Sequence, residues 1–134
     1  MDYEVDTDIN KFALDDEWVK QANLFKEYSK KANDAYDLYN NLKNYYTVKK
    51  AEIEMDIRSA KIDIGCKITE NAISAYLDTH QTLIEINNKI SKAKYTYDMW
   101  KSAVDAMEHK KKSLDNLEKL WLNNYYADDR IKDR

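Results

Sequence analysis

The sequence predicts an all-α protein, folded as a long antiparallel helical hairpin with a short helix inserted at the bend. Two observations carry this prediction. The 134 residues include no proline and one glycine, the residues on which sheets and tight loops depend at their corners. Apolar residues recur at alternating steps of three and four over two long stretches, which is typical of helices that pack side by side. We therefore expect a single helical domain over residues 1–134.

The first predicted segment, residues 1–17, is strongly acidic. It contains seven acids and one lysine, a net charge of −6, whereas the whole chain carries −3 and the remainder therefore +3. Carboxylates at a helix start meet the positive end of the helix dipole, so the simplest interpretation is a solvated segment that leads into a helix. The alternative is an acidic arm that shields the protein itself or docks a partner.

The first long helix is predicted over residues 18–64. Its apolar residues form two rows, Trp18, Phe25, Ala32, Tyr39 and Tyr46, with Tyr28, Ala35 and Leu42 between them. Beyond Tyr46 the pattern shifts by four residues, a stutter that locally unwinds a supercoil. The apolar positions there are Ile53, Ile57, Ala60 and Ile64. Gly65 is the expected break, because glycine adopts the left-handed conformation that ends many helices.

The second half of the chain is predicted to hold a short helix over residues 69–78, capped by Thr69, and a second long helix over residues 79–126. The long helix has two apolar rows, Ile86, Ala93, Trp100, Met107, Leu114 and Trp121, with Leu83, Ile90, Tyr97 and Val104. It would extend roughly 65 Å and therefore needs an equally long partner. Residues 127–134 are polar, lack an apolar row and are expected to fray.

The last third of the second long helix carries a wider apolar surface than one partner helix covers. Burial of such a surface usually means association between chains, so we predict a homo-oligomer. The residues expected in the contact are Leu114, Leu117, Leu120, Trp121 and Tyr125. The alternative is that the N-terminal segment folds back and covers them.

Residues typical of an active site are not found together in the sequence. His80 and His109 stand far apart and neither has a histidine or cysteine three or four residues on, which argues against a metal site and a Cys–His nucleophile. No glycine-rich loop that would cradle a phosphate is present. Glu70 is interpreted as an ordinary acid of a helix surface. We therefore expect no enzyme activity, no catalytic residue, no metal and no cofactor.

The sequence also predicts where the protein acts. Cys66 is the single cysteine and cannot form an internal disulfide. Neither the apolar segment of a secretory signal nor an apolar run of about 20 residues is found. We expect a soluble, cytoplasmic protein with no membrane partner.

Basic residues with aromatic residues nearby form two groups. The first group, at the end of the first long helix and in the bend, is Lys49, Lys50, Arg58, Lys61 and Lys67. The second group, early in the second long helix, is Lys89, Lys92, Lys94 and Tyr95. An antiparallel hairpin places both groups at one end, where cations could follow the phosphates of single-stranded nucleic acid while rings stack on its bases. The alternative is that these lysines only solvate exposed helix faces, because acids are interleaved with the first group.

The order of these features resembles the phage recombination mediators, the UvsY-like proteins. The resemblance spans roughly residues 20 to 128 and rests on three blocks, KKAEIEMDIRSAKIDIG, KITENAISAYL and KISKAKYTYDMWKSAVDAMEHKKKSLDNLEKLWLNNYYAD. The last block is the most specific, with its Ala-Lys-Tyr start, its AVDAMEHKKKSLDNL helix and an aromatic pair before an acidic end.

The resemblance implies a function in DNA recombination and repair. Such mediators are all-helical, assemble into ring-like homo-oligomers, bind single-stranded DNA and help to load a RecA-type recombinase onto strands coated by a single-strand-binding protein. By this resemblance, Lys49, Lys50, Arg58 and Lys61 would contact DNA, the C-terminal helix would carry assembly, and a phage-encoded chain would act in the cytoplasm of its bacterial host. The sequence departs from this pattern in being net acidic, so that a ring would have to sum weak sites.

Two functions of other classes are alternatives. In the first, the chain is a coiled-coil adaptor or assembly protein whose wide apolar face meets a different protein. In the second, it is a small acidic inhibitor that mimics DNA with the carboxylates of residues 1–17.

Overall fold

A computed structural model describes residues 6–10 and 13–123 of the chain. This part of the chain contains three helices and no strand, namely α1 (Leu14–Arg58), α2 (Glu70–Asp78) and α3 (Gln81–Leu122). The two long helices pack against each other as a hairpin. The all-α class and the hairpin with a short inserted helix are therefore confirmed, whereas the homo-oligomer stays a prediction.

Helix α1 begins at Leu14, four residues before the predicted boundary. Asp15, Asp16 and Glu17 fill its first turn, where carboxylates meet the positive end of the helix dipole. The backbone N–H of Asn10 donates to Oε1 of Glu17 at 3.4 Å, and the N–H of Glu17 donates to the carbonyl of Ala13 at 3.0 Å. The last acids of the acidic segment thus belong to the helix itself.

The end of α1 corrects the predicted break. The helix ends at Arg58 rather than at residue 64, and Ala60 takes the left-handed conformation with a φ of 61°. The N–H groups of Lys61 and Ile62 both donate to the carbonyl of Asp56, which closes the helix end. Gly65 also has a positive φ, of 77°, but it lies in the connection that follows. Because the chain turns early, Ile62 can pack against a core cluster that a continuous helix would carry it past.

Helices α2 and α3 lie close to their predicted bounds. Thr69 is the N-cap of α2, and its side-chain oxygen accepts from the N–H of Ala72 at 3.1 Å, which confirms the predicted cap. Helix α3 begins two residues after the predicted start and ends at Leu122. The predicted end of this helix at residue 126 and the predicted frayed tail over 127–134 lie outside the described residues.

The chain divides into two compact units. Unit 2 comprises residues Asn33–Tyr97 and is built on a cluster of six buried residues from all three helices: Ile53, Ile57, Ile73, Leu77, Leu83 and Ile86. Ile73 and Leu77 form the buried face of α2, so the short helix is a full part of this core. The apolar rows predicted for this region therefore describe its packing, except that Ala60 is exposed.

Unit 1 comprises the described residues up to Ala32 and those from Asp98 onward. Its core centres on Tyr28, Ala103 and Met107, with Leu24, Phe25, Trp100 and Val104 packed against them. The ring centres of Tyr28 and Trp100 lie 5.9 Å apart in a tilted arrangement. Aromatic side chains thus fill much of the space between the helices of this unit.

No helix in the described part of the chain combines the length and the apolar character that crossing a lipid bilayer requires.

Candidate nucleic-acid interface

All nine residues predicted to bind single-stranded DNA fall in unit 2. Three elements carry them: α1 holds Lys49, Lys50 and Arg58, the connection to α2 holds Lys61 and Lys67, and α3 holds Lys89, Lys92, Lys94 and Tyr95. Tyr46 of α1 and Ile90 of α3 pack against the same core cluster. A neighbour of each basic group in the sequence therefore packs against this cluster, while a single basic patch stays a prediction.

The end of α1 pairs lysines with tyrosines one helical turn earlier. Nζ of Lys50 lies 6.0 Å from the ring centre of Tyr46, and Nζ of Lys43 lies 4.6 Å from that of Tyr39. Both distances suit a cation–π contact, which holds the ammonium over the ring face. The sequence prediction named Lys50 but missed Lys43, although the same four-residue spacing to a tyrosine identifies both.

The seven lysines of the predicted set make no ion pair within 4 Å in the part of the chain that the structure describes. Lys61, Lys67, Lys89, Lys92 and Lys94 are exposed, whereas Lys49 and Lys50 are half-buried. Among the described residues, no carboxylate lies within ion-pair distance of these ammonium groups. Phosphate groups of a nucleic acid could therefore supply the missing counter-charge.

Arg58 differs from these lysines because two carboxylates hold its guanidinium. Nη2 donates to Oε1 of Glu54 at 3.0 Å and to the two carboxylate oxygens of Glu70 at 2.8 and 3.0 Å. The hydrogen bond to Glu70 is the main reason why the pKa of Arg58 is raised above its ordinary value. Glu70, interpreted from the sequence as an ordinary surface acid, thus ties the start of α2 to the end of α1.

A small depression of about 190 Å³ lies beside this ion pair. Its charged lining is Lys50, Glu54, Glu70 and Asp78. Even with Arg58 paired to Glu54 and Glu70, the carboxylates here outnumber the cations, so the depression would repel a phosphate group. The candidate interface is therefore the exposed helix surface and the connection after α1, rather than this depression.

On α3, Lys89, Lys92 and Tyr95 follow one another at steps of three residues and share a helix face. The side chain of Tyr95 is 74% exposed. Lys94 lies two residues from Lys92 and points in another direction around the helix. The α3 part of the interface therefore consists of two cations and one exposed ring, a combination that suits a single strand.

The described residues predicted for assembly lie in unit 1, near the C-terminal end of α3. Leu114 has 0% of its surface exposed, so it belongs to the core of this unit and offers no surface to a partner. Leu117 and Leu120 are half-buried, and Trp121 is 36% exposed. A groove of about 550 Å³ is lined by Trp18, Trp121 and Leu122 among others. Tyr125 lies outside the described residues.

Within the described residues, no three histidine, cysteine, aspartate or glutamate side chains come together as a metal ion would require. Comparison with family models, with curated proteins and with solved structures finds no match to this chain.

Proposed function

We propose that this chain is a non-enzymatic recombination mediator that binds single-stranded DNA as a homo-oligomer. In this function it helps a RecA-type recombinase to load onto strands coated by a single-strand-binding protein. The observation that supports the DNA-binding part is the set of seven lysines in unit 2 that make no ion pair among the described residues, with the ring of Tyr46 beside Lys50. The mediator part rests on the resemblance of the three sequence blocks to the UvsY-like proteins.

The proposed mechanism is electrostatic. Lysine ammonium groups follow the phosphates of the strand, while exposed rings such as Tyr45 and Tyr95, 54% and 74% exposed, offer faces for base stacking. Holding the strand in this way changes its path and weakens the grip of the coating protein. No covalent bond is made or broken.

Assembly compensates for the modest charge of one subunit. A chain with a net charge of −3 gains little from long-range attraction to DNA. Several subunits joined in a ring bind one strand at several sites, and each contact after the first is intramolecular. Weak sites therefore add up to tight, salt-sensitive binding.

The test is light scattering of the purified protein, with and without a labelled poly-dT strand, at low and at moderate salt. The proposal expects an oligomer of more than two subunits that binds the strand, with affinity falling steeply as salt rises. A monomer or dimer that is indifferent to DNA at low salt contradicts the proposal.

A second candidate function is favoured by the exposed apolar residues at the end of α3. Leu122 is 75% exposed and lines the same groove as Trp18 and Trp121. If this surface meets a different protein rather than a second copy, the chain is an adaptor. A stable heterocomplex, together with loss of all strand binding at low salt, would favour this function over the mediator.

A further inference from the structure

Helix α1 carries a second apolar row in unit 2, on a face that the hairpin leaves exposed. Four large apolar side chains, each between 54% and 69% exposed, lie on it: Leu38, Tyr45, Val48 and Met55. Asn41 and Glu52, both exposed, fill the remaining positions, so that the row advances by alternating steps of three and four residues. We call these six residues the exposed row. Such alternation is the spacing of a helix that packs lengthwise against another helix.

The exposed row and the buried side of α1 point in different directions. Ile53 and Ile57 of α1 belong to the core cluster that α1 shares with α2 and α3. Because successive residues turn by about 100° around a helix, the centre of the exposed row lies roughly 120° from these buried residues. A helix with two apolar faces is typical of a bundle in which it has a neighbour on each face. The chain itself supplies the neighbour on the buried side, while the apolar residues of the exposed row remain open to solvent.

The order of side chains along the exposed row makes it complementary to a second copy of itself. When two copies of the row lie antiparallel, Leu38 of each faces Met55 of the other, and Tyr45 of each faces Val48 of the other. All four exposed apolar side chains of each copy are then covered by apolar partners. The surface therefore fits the same surface of another chain, as a two-fold contact requires.

The two polar residues of the row select this alignment and this direction. Antiparallel copies bring Asn41 opposite Glu52, so that the amide can donate a hydrogen bond to the carboxylate. A shift by seven residues would instead bury Glu52 against Val48, or Asn41 against Tyr45, and leave the polar group without a partner. A parallel arrangement would set Glu52 against its own copy, and the two carboxylates would repel each other.

We propose that two copies of this chain pair antiparallel through the exposed row of α1, about a two-fold axis. The contact runs for about 25 Å along the helix and lies wholly in unit 2, apart from the assembly surface expected in unit 1. A chain with two separate contacts can build closed assemblies of more than two subunits. The pair covers Tyr45, so in paired chains base stacking falls to other exposed rings such as Tyr95.

The first experiment links the two copies through cysteines placed in the full-length chain. Cys66, the single natural cysteine, is exposed and is replaced by serine. One chain then carries Leu38→Cys and another carries Met55→Cys, and the two are mixed and mildly oxidised without DNA. Both positions are exposed, so neither change disturbs the core.

The mixture is expected to give a covalent dimer on a non-reducing gel, whereas either chain alone should give little. In the antiparallel pair the two copies of position 38 lie about 25 Å apart along the axis, and a disulfide needs Cα atoms within about 7 Å. Absence of the mixed dimer overturns the inference. Efficient linking of the Leu38→Cys chain to itself overturns it as well, because that result indicates parallel helices.

A matched pair of charge variants tests the same contact without cysteines. Asn41→Lys sets a cation opposite Glu52, whereas Asn41→Glu sets a second carboxylate there. Both chains also carry Trp121→Glu, which is expected to open the contact of unit 1, so that sedimentation equilibrium measures pairing through unit 2. The dissociation constant of the Asn41→Glu chain is expected to be roughly tenfold higher than that of the Asn41→Lys chain, because each pair contains two such contacts.

The control is the same change of charge at Asn33, an exposed residue of α1 in unit 2 that lies outside the exposed row. Asn33→Lys and Asn33→Glu should have equal dissociation constants. Equal constants for the two Asn41 variants, or an equally large difference between the two Asn33 variants, overturn the inference.

These measurements contain no DNA, so their outcome is independent of strand binding. If the cysteines fail to link while the wild-type chain binds poly-dT as an oligomer, only this inference fails. If the cysteines link and the chain is indifferent to poly-dT at low salt, the pairing stands and the proposed function fails.

Discussion

Lys110 lies on the buried face of α3, although the second predicted apolar row continues from Val104 to Lys111 instead. It comes three residues after Met107 and four before Leu114, both of which have 0% exposed surface. Nζ of Lys110 lies 3.1 Å from Oε2 of Glu17. Beside it, Nε2 of Gln21 donates to the carbonyl of Met107 at 2.7 Å. Two polar side chains of α1, Glu17 and Gln21, therefore contact this part of α3. A buried polar layer of this kind favours one alignment of two helices over its neighbours, because any shift leaves the ammonium unpaired.

Substitution of Lys110 by alanine leaves the carboxylate of Glu17, which is 12% exposed, without its cation. We expect the free energy of unfolding to fall by about 3–5 kcal/mol, because an uncompensated charge then remains in a nearly dry site. Urea unfolding followed by circular dichroism measures the loss. The double variant Lys110→Met, Glu17→Leu removes both charges and keeps apolar volume, so it should recover most of the stability. Equal stability of the single and double variants would argue against the pair.

Substitution of Arg58 and substitution of Lys61 by alanine should affect DNA binding differently. The guanidinium of Arg58 already has two carboxylate partners, whereas Lys61 is exposed and makes no ion pair among the described residues. Lys61→Ala is therefore expected to lower the slope of log K against log salt by about 0.7, the contribution of one phosphate contact on a single strand. Arg58→Ala should leave this slope nearly unchanged. A larger effect from Arg58 than from Lys61 would show that the arginine exchanges its carboxylates for phosphate.

The short helix α2 has a side-chain cap and an exposed ion pair at its start. Thr69 satisfies one backbone N–H at the helix start, and Arg58 of α1 holds the carboxylate of Glu70 in the first turn. Nine residues are too few for an isolated helix to be stable in water. The buried face formed by Ile73 and Leu77 provides the remaining stabilisation.

The cap gives a direct test of α2. Thr69→Ala should lower the free energy of unfolding by about 1 kcal/mol, because the N–H of Ala72 loses its acceptor. Thr69→Ser keeps a hydroxyl and should cost only a small part of this. Thermal unfolding of the two variants and of the wild type measures both losses of stability. Identical losses would mean that the threonine acts through its methyl group rather than its hydroxyl.

The sequence predicted the helices well where local pattern decides them, as at the cap Thr69 and the buried positions Leu83, Ile86 and Met107. The sequence did not predict where α1 ends, or which residues pair across the connection that follows it. The end of α1 depends on Ala60 adopting a left-handed conformation that alanine rarely takes, and no local signal marks it. The pairing of Arg58 with Glu70 depends on how the chain turns between α1 and α2, so the sequence could identify the basic residues but not their partners.

The chain keeps its two apolar clusters in separate units. The candidate DNA-binding residues belong to unit 2, whereas the half-buried and exposed residues expected in assembly, Leu117, Leu120 and Trp121, belong to unit 1. Substitutions at the surface of one unit can therefore be made without touching the core of the other. This separation makes the contributions of assembly and of strand contact to binding measurable one at a time.

Trp121→Glu places a carboxylate on the surface expected to join subunits, at a side chain that is 36% exposed. We expect the proposed oligomer to dissociate while the helix content measured by circular dichroism stays nearly the same. Leu114→Ala is the matched comparison, because this residue is fully buried and its truncation should instead cost about 2–5 kcal/mol of stability.

Strand binding by the dissociated variant then tests whether several weak sites in one oligomer together give tight binding. Its lysines in unit 2 are intact, so its intrinsic contacts with a short dT oligonucleotide, long enough for one subunit only, should equal those of the wild type. On a long strand the proposed ring should gain from intramolecular binding of successive subunits, an advantage on the order of a hundredfold or more, and Trp121→Glu should lose it. If the variant dissociates and still binds the long strand as tightly as the wild type, one subunit suffices and assembly has no part in holding DNA.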